Sequence, residues 1–354
     1  MTETTALTDT LDFGLFDWIE WDRSPPHEIF ENRLKMLELA DRSGFHSYHL
    51  AEHHLTPLSV SPSPAVFLAA AAQRTSQLRL GPLVFLLPFY NPIRLYHEIC
   101  MLDNLSNGRL DLGVGRGVSP VEAEKFDVDL GASWEVFNEQ MALFTNGFAT
   151  GLFNYRGNHY TYEDLEVWIK PYQKPYPPLW YASNNIETVP WMAQHSFNTC
   201  HVFADNAATR EHYDLYKRVW NAERMSDGLN GHVAAPKLGL VRHMYVAPTD
   251  RQALAEAKPA FATWFHNINY LWEKNGYDFL NFIRDFDDLE PRDIVLAGSP
   301  DTVREKAQRA IDETGVNYFC PIFAWGDLTP DQVMRSLGLF ADEIMPNLRP
   351  AQQG

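Results

Sequence analysis

Along the chain, short apolar runs alternate with longer stretches whose apolar residues recur every three or four positions. The runs predict buried strands and the periodic stretches predict amphipathic helices. Asp12–Phe16 reads as a strand, and Phe30–Ser43 as a helix stopped by Gly44. A strand at Ser47–Leu50, a helix from Pro64 to Thr75, a strand at Leu80–Leu87 and a helix from Pro92 to Leu105 follow. Asn107-Gly108 then turns the chain into a strand at Leu110–Val114, with a helix near Trp134–Thr150. Phe153–Ile169, rich in β-branched and aromatic residues around Gly157-Asn158, predicts a hairpin insertion. Later strands are expected at Leu179–Ala182, Asn198–Phe203, Leu238–Val246 and Tyr318–Phe323. Helices are expected at Thr188–His195, Ala207–Arg224, Arg251–Tyr270, Pro300–Thr314 and Pro330–Met345.

Eight strand–helix alternations predict an α/β fold with a parallel sheet, and eight is the number that closes a single TIM-like (β/α)8 barrel. The barrel domain would span residues 11–349 behind a flexible N-terminal tail, residues 1–10. A doubly wound open sheet is the structural rival. Leu271–Pro291 lacks a clean strand and is crowded with aromatic and acidic residues. It predicts an excursion at the C-terminal face, either a lid or a surface loop.

Composition narrows the function classes. The 354 residues carry a net charge of −17, which argues against nucleic acid or an anionic membrane as the main partner. Three cysteines, Cys100, Cys200 and Cys320, are far apart with no CxxC pair, a pattern of buried thiols in a reducing compartment. The polar N-terminus is no signal peptide, and Ala65–Ala72 and Leu83–Phe89 are too short to cross a bilayer. A cytoplasmic protein is expected.

Candidate chemistry gathers where predicted strands end. The second strand runs into Glu52-His53-His54, three ionisable side chains in a place where structural residues are usually apolar. His46, His49, His53 and His54 resemble a metal cluster, but side chains on a strand alternate faces and there is no HExxH, so no metal is expected. A catalytic or cofactor-polarising histidine and a hydrogen-bonded structural one both remain open. Gly113-Val114-Gly115-Arg116-Gly117 lacks the third glycine of a dinucleotide fingerprint, Val118 standing there. Its glycines admit a ligand close to the backbone and its arginine suits an anion, or else the stretch is a turn whose Arg116 pairs with a carboxylate. Ala182-Ser183-Asn184-Asn185-Ile186-Glu187-Thr188 is again strand end into helix start, fit to hold phosphate or simply to cap a helix. No GxSxG, P-loop or Ser/His/Asp spacing is present.

Taken together, these blocks resemble the bacterial luciferase-like flavin-dependent monooxygenases, among them the luciferase alpha subunit. The match runs through Gly44-Phe45 and Glu52-His53-His54, then Leu86-Leu87-Pro88 and Asn91-Pro92-Ile93-Arg94. It continues through Leu102–Arg109 and Gly113–Gly117, and late through Gly298–Val303 and Phe340–Pro346. The resemblance implies a TIM-like barrel that binds reduced FMN at its C-terminal face, reacts it with O2 through a C4a-hydroperoxide and oxygenates an organic substrate. It makes His53 the proton-handling histidine, supported by Glu52 and His54. It places Arg116, Asn184, Asn185 and Thr188 at the FMN phosphate, and Leu83 and Val84 in a bulge, often with a non-prolyl cis peptide, behind the flavin ring. It also implies a separate flavin reductase and a homodimer formed through the alanine-rich helix 65–75.

Several departures shape this expectation. Gly115 replaces the reactive cysteine of luciferase, Ser119 its tyrosine, and Asn185 and Glu187 serines of the phosphate turn. Light emission is therefore not implied. Asp103 and Arg109 are expected to form an ion pair. Phe16, Trp18, Tyr181 and Trp191 are the expected substrate-pocket residues for a mainly apolar small molecule. The alternatives are F420-dependent hydride transfer on the same fold and a flavin-binding protein without catalysis.

Overall fold

The computed structural model describes residues 10–351; the predicted tail lies outside them, except for Thr10. The strands are β1 (Asp12–Asp17), β2 (Ser47–Leu50), β3 (Arg79–Pro82), β4 (Phe85–Leu86), β5 (Leu112–Gly115), β6 (Leu152–Arg156), β7 (Thr161–Glu166), β8 (Leu179–Trp180), β9 (Thr199–His201), β10 (Leu238–Val246), β11 (Val295–Gly298) and β12 (Tyr318–Ile322). Between them lie α1 (Pro26–Arg42), α2 (Pro64–Arg74), α3 (Pro92–Leu105), α4 (Pro120–Lys125), α5 (Ser133–Thr150), α6 (Val189–Gln194), α7 (Asn206–Glu223), α8 (Asp250–Lys274), α9 (Phe286–Leu289), α10 (Pro300–Thr314) and α11 (Pro330–Leu339). Local chemistry sets many boundaries. Asn91 caps α3 through Ile93 and Arg94 N–H ahead of Pro92, Thr329 and Gln332 form a capping box on α11, and Gly151 and Gly315 end α5 and α10 in the left-handed region.

The strands form a curled parallel sheet. β10, β12, β1, β2 and β3 pair in that order, and single bridges at Leu80–Leu110 and Trp180–Asn198 carry the pairing onward through β4, β5 and β8 to β9, which pairs β10 again. β6 and β7 stand apart as an antiparallel pair. Missing side chains make room for the sheet's interior. A Cβ on Gly14 would lie 1.6 Å from the Tyr318 hydroxyl, and one on Gly239 would lie 2.5 Å from Cys200 Sγ. Tyr318 fills that space and joins the Ser47 hydroxyl (2.7 Å) and His49 Nε2 (2.9 Å) in a buried hydrogen-bonded group.

Several expectations change. The strand drawn over Leu80–Leu87 is broken into β3 and β4 by a cis peptide between Leu83 and Val84. β11 was not predicted, because its four residues are buried on both faces and show no alternation; it pairs only with the C-terminal half of β10. α8 is longer than Arg251–Tyr270, and the Leu271–Pro291 stretch holds its last turn and then short helical turns that bury Leu280, Ile283 and Phe286. The Asp103–Arg109 ion pair does not form. Asp103 accepts from Gln173 N and Nε2, both at 2.8 Å, while Arg109 donates to the carbonyls of Ala72, Thr75 and Leu78. The carbonyls at the end of α2 draw the guanidinium because they form the negative end of that helix. Among the described residues, no helix is long and apolar enough to cross a membrane.

One buried acid ties together the loops at the C-terminal side. Glu20, just beyond β1, accepts from Gly326 N at 2.7 Å beyond β12 and from Asn267 Nδ2 of α8 at 2.8 Å. The Asn267 carbonyl in turn takes the Thr56 hydroxyl from the loop after β2. Burial, outweighing these hydrogen bonds and the nearby Arg33, raises the Glu20 pKa from 4.5 to about 7. The folded protein thus keeps this proton to a higher pH than the unfolded chain does. Its stabilising contribution is complete below pH 4.5 and is lost as the pH rises to about 7. Denaturant unfolding of the wild type and Glu20→Gln should therefore diverge between acid and neutral pH, by on the order of 3 kcal/mol. Parallel pH profiles would contradict this role.

Candidate active site

β2 is buried along its whole length, so its register delivers Glu52, His53 and His54 to the C-terminal rim as a unit. Glu52 is deeply buried. One of its oxygens accepts from His54 Nε2 at 2.8 Å, and the other accepts from Leu86 N at 3.2 Å and the Tyr90 hydroxyl at 2.9 Å. Burial raises its pKa against the lowering effect of these bonds. The expectation that Glu52 and His54 support His53 changes here, since Glu52 is bonded to His54, Leu86 N and Tyr90 and His53 meets another acid. Its Nδ1 lies 3.5 Å from Glu122 Oε1, and the same oxygen accepts the His54 backbone N–H at 2.5 Å. Burial opposes ionisation of Glu122 as well, but the contacts to His53 and His54 prevail and hold its pKa below the usual carboxylate range. His49 belongs to the hydrogen-bonded group with Tyr318, so the four histidines of the 46–54 stretch do not converge.

The next strands supply a surface without side chains. A Cβ on Gly113 would lie 2.0 Å from the Pro82 carbonyl oxygen, and one on Gly115 would lie 2.4 Å from Val84 Cγ2. β5 therefore presses directly on the segment that carries Leu83, which is buried, and Val84, which is half-buried. Arg116 follows. Its Nε donates to the Tyr181 hydroxyl and its Nη1 to Ser133 Oγ, each at a long 3.4 Å, and its guanidinium lies 5.1 Å from the centre of the Trp134 ring. Among the described residues no carboxylate forms an ion pair with it, so its charge is available to an incoming anion.

The 183–188 turn is exposed and shaped by its own side chains. Asn184 is fastened to Val202 in both directions, accepting from Val202 N and donating to its carbonyl. Asn185 accepts from Glu187 N, Thr188 is half-buried, and Glu187 is exposed to solvent. The four expected substrate residues fall into two groups. Trp18 packs against Phe16 and Trp264, with ring centres 4.8 and 5.8 Å apart, whereas Tyr181 packs against Trp191 at 5.2 Å. The second pair backs Arg116, because Trp191 also meets Trp134.

Sequence reasoning missed Glu122, Ser133, Trp134 and Tyr90. Ser119-x-x-Glu122 is a helix-start signature, and Ser119 Oγ does accept from Glu122 N, but that pattern says nothing about a histidine. Glu135, Glu139 and His159 also approach one another. There Glu139 is occupied by the N–H groups of Asn158, His159 and Tyr160, so it secures the hairpin turn.

Residues 11–318 match the family described as luciferase-like monooxygenase. The chain belongs to the luciferase-like monooxygenases. It is 35% identical over 342 residues to the uncharacterized protein y4wF of Sinorhizobium fredii, covering 96% of this chain and 98% of that one. It is 27% identical over 266 residues, 72% of each chain, to the oxygenase component of a flavin-dependent trigonelline monooxygenase of Acinetobacter baylyi. In fold it is similar to the oxygenating constituent of 3,6-diketocamphane monooxygenase from Pseudomonas putida, solved in complex with FMN. The TM-score is 0.79 at 20% identity, covering 97% of this chain and 100% of that one.

In this monooxygenase the Glu52 carboxylate joins three partners from two loops. Glu52→Ala strands Leu86 N–H, the Tyr90 hydroxyl and His54 and should cost on the order of 3 kcal/mol in denaturant unfolding. A loss below about 1 kcal/mol would show that the carboxylate is not needed to satisfy them.

Proposed function

We propose that this chain is the oxygenase component of a two-component flavin monooxygenase, which takes reduced FMN from a separate reductase and oxygenates a mainly apolar small molecule. The observation that carries this reading is the C-terminal rim itself, where an arginine without a carboxylate partner among the described residues follows a strand whose Gly113 and Gly115 bring it directly against Pro82–Val84. These residues fit FMN. Gly113 and Gly115 let β5 lie directly against Pro82–Val84, so that this segment can back a flat ring system, and Arg116 suits a phosphate. The trigonelline relative, named an oxygenase component, supports a division of labour with a reductase. So does the Gly113–Gly117 stretch, with Val118 where a nicotinamide fingerprint needs glycine.

When bound, reduced FMN supplies the two electrons with which O2 is split between the product and water. The chain's own residues do the rest. Arg116, braced by Tyr181 and Trp134, binds the phosphate, with Asn184, Asn185 and Thr188 on the exposed turn beside it. Leu83 and Val84 back the ring. His53, 30% exposed among buried neighbours, holds or moves the proton at the reacting centre. Phe89 and Phe126, stacked at 4.9 Å, form an apolar edge beside His54. Phe16 and Trp18 form the apolar wall for substrate. We read the circuit of parallel pairings as a closed barrel, and exposed Val66, Met101 and Leu105 on α2 and α3 as the homodimer face.

The test is anaerobic loading with photoreduced FMN followed by rapid mixing with oxygenated buffer. A near-ultraviolet transient that outlasts the oxidation of free flavin is expected; weak binding of reduced FMN with no transient would overturn the reading and direct attention to F420. Arg116→Ala should weaken reduced FMN by about 30-fold while leaving reduced riboflavin, which lacks the phosphate, within about threefold. Equal losses for both would place the phosphate elsewhere. His53→Ala should bind reduced FMN normally but shorten the transient and release more hydrogen peroxide; an unchanged transient would remove His53 from the chemistry.

A further inference from the structure

Glu122 is an acid at the rim that the sequence did not single out, and it makes two contacts through a single atom. Its side chain is 3% exposed, and Oε1 both accepts the His54 backbone N–H at 2.5 Å and faces His53 Nδ1 at 3.5 Å. α4 holds it there, since Ser119 Oγ caps the helix through Glu122 N at 3.2 Å. Glu52 is engaged elsewhere, with His54, Leu86 N and the Tyr90 hydroxyl. Among the described residues, the His53 ring has no other ion-pair or hydrogen-bond partner.

We propose that Glu122 is a positioning residue for His53, fixing its tautomer and ring orientation by accepting a hydrogen bond from Nδ1 and thereby leaving Nε2 as the atom that faces the reacting centre. This rests on the reading above that His53 handles a proton. A neutral imidazole carries one N–H, and the group hydrogen-bonded to one nitrogen decides which nitrogen bears it. An anionic acceptor at Nδ1 puts the proton there and the lone pair on Nε2. The same anion stabilises the imidazolium once Nε2 has taken a proton, so the ring can accept and return it while Glu122 stays ionised throughout. The proton moves only at Nε2. Because Glu122 is fixed to the His54 backbone, the ring's partner and the loop that carries the ring move as one body.

A purely structural role would make Glu122 an anchor for the 53–54 loop through the His54 N–H alone. Glu122→Gln separates the two. Because both contacts share Oε1, an amide oxygen in that place still accepts from His54 N and from the Nδ1–H, but the variant lacks the charge that stabilises the imidazolium; Glu122→Leu removes the acceptor itself. Glu122→Asp keeps the charge on a shorter stem.

The experiment is nitrogen NMR of the cofactor-free, full-length protein carrying labelled histidine, at alkaline pH, with the His53 signals assigned among 13 histidines by their loss in His53→Gln. The Nδ1–H tautomer is expected in the wild type, in Glu122→Gln and in Glu122→Asp, and a shift toward the Nε2–H tautomer in Glu122→Leu, which leaves Nδ1 no acceptor. In parallel, product formed per reduced FMN should fall by about tenfold in Glu122→Gln, with peroxide taking its place, while the affinity for reduced FMN stays within about twofold. Partial recovery in Glu122→Asp completes the expected pattern. An Nε2–H tautomer in the wild type, a tautomer unmoved by Glu122→Leu, or a coupling unmoved by Glu122→Gln overturns the proposal. So does a loss of coupling that only tracks a lowered unfolding midpoint. If Glu122→Gln does not fold, the wild-type tautomer and Glu122→Asp decide the matter. The NMR result needs no flavin, so a protein that never oxygenates would refute the functional reading while the His53–Glu122 relation is judged on its own.

Discussion

The C-terminal rim depends on the closeness of β5 to the Pro82–Val84 segment, and that closeness depends on two absent side chains. Gly113 leaves the Pro82 carbonyl 2.0 Å from where a Cβ would sit, and Gly115 leaves Val84 at 2.4 Å. Any larger residue would push β5 outward and carry Arg116 with it. The same device works deeper in the sheet, where Gly14 yields its space to Tyr318 and Gly239 to Cys200. Interiors pack to crystal-like density, so a missing Cβ in one strand fixes what a neighbour can place there. The third strand then divides at Leu83–Val84, and the segment that follows brings Leu86 N–H and Tyr90 to Glu52.

On that scaffold, electrostatics separate two buried acids that look alike in composition. Glu52 is enclosed by neutral donors and His54, and burial dominates its ionisation. Glu122, as deeply placed, has His53 and a backbone N–H on one oxygen, and those contacts prevail. Each acid takes one histidine of an adjacent pair. Arg116 presents the complementary case, a cation held by an aromatic face and two long hydroxyl contacts, which steady its position without neutralising its charge. An acidic protein can in this way keep a local seat for an anion.

Much of this architecture was legible in the chain. Alternation of apolar runs and helical periodicity marked most of the parallel strands, because strand and helix periods are local properties of consecutive residues. Gly157-Asn158 marked the hairpin turn, and Glu52-His53-His54 stood out because charge at a strand end is anomalous. β11 was hidden since four buried residues carry no period. The Asp103–Arg109 pairing failed for a related reason: nearness in sequence does not reveal that the carbonyls ending α2 compete for the guanidinium.

By itself, then, the amino-acid sequence determined the α/β alternation, the turns, the caps and the glycines that bring β5 against its neighbour, all of which follow from backbone preferences and local spacing. Only the tertiary structure decided partners. Glu122 reaches the histidine loop across 68 residues, and the aromatics near the rim divide between Trp18 and Arg116 according to which strand end each one follows. Such choices belong to loops that meet only when strands far apart in the chain take adjacent places in the sheet. No pattern along a single segment encodes that meeting, because its energy arises between segments.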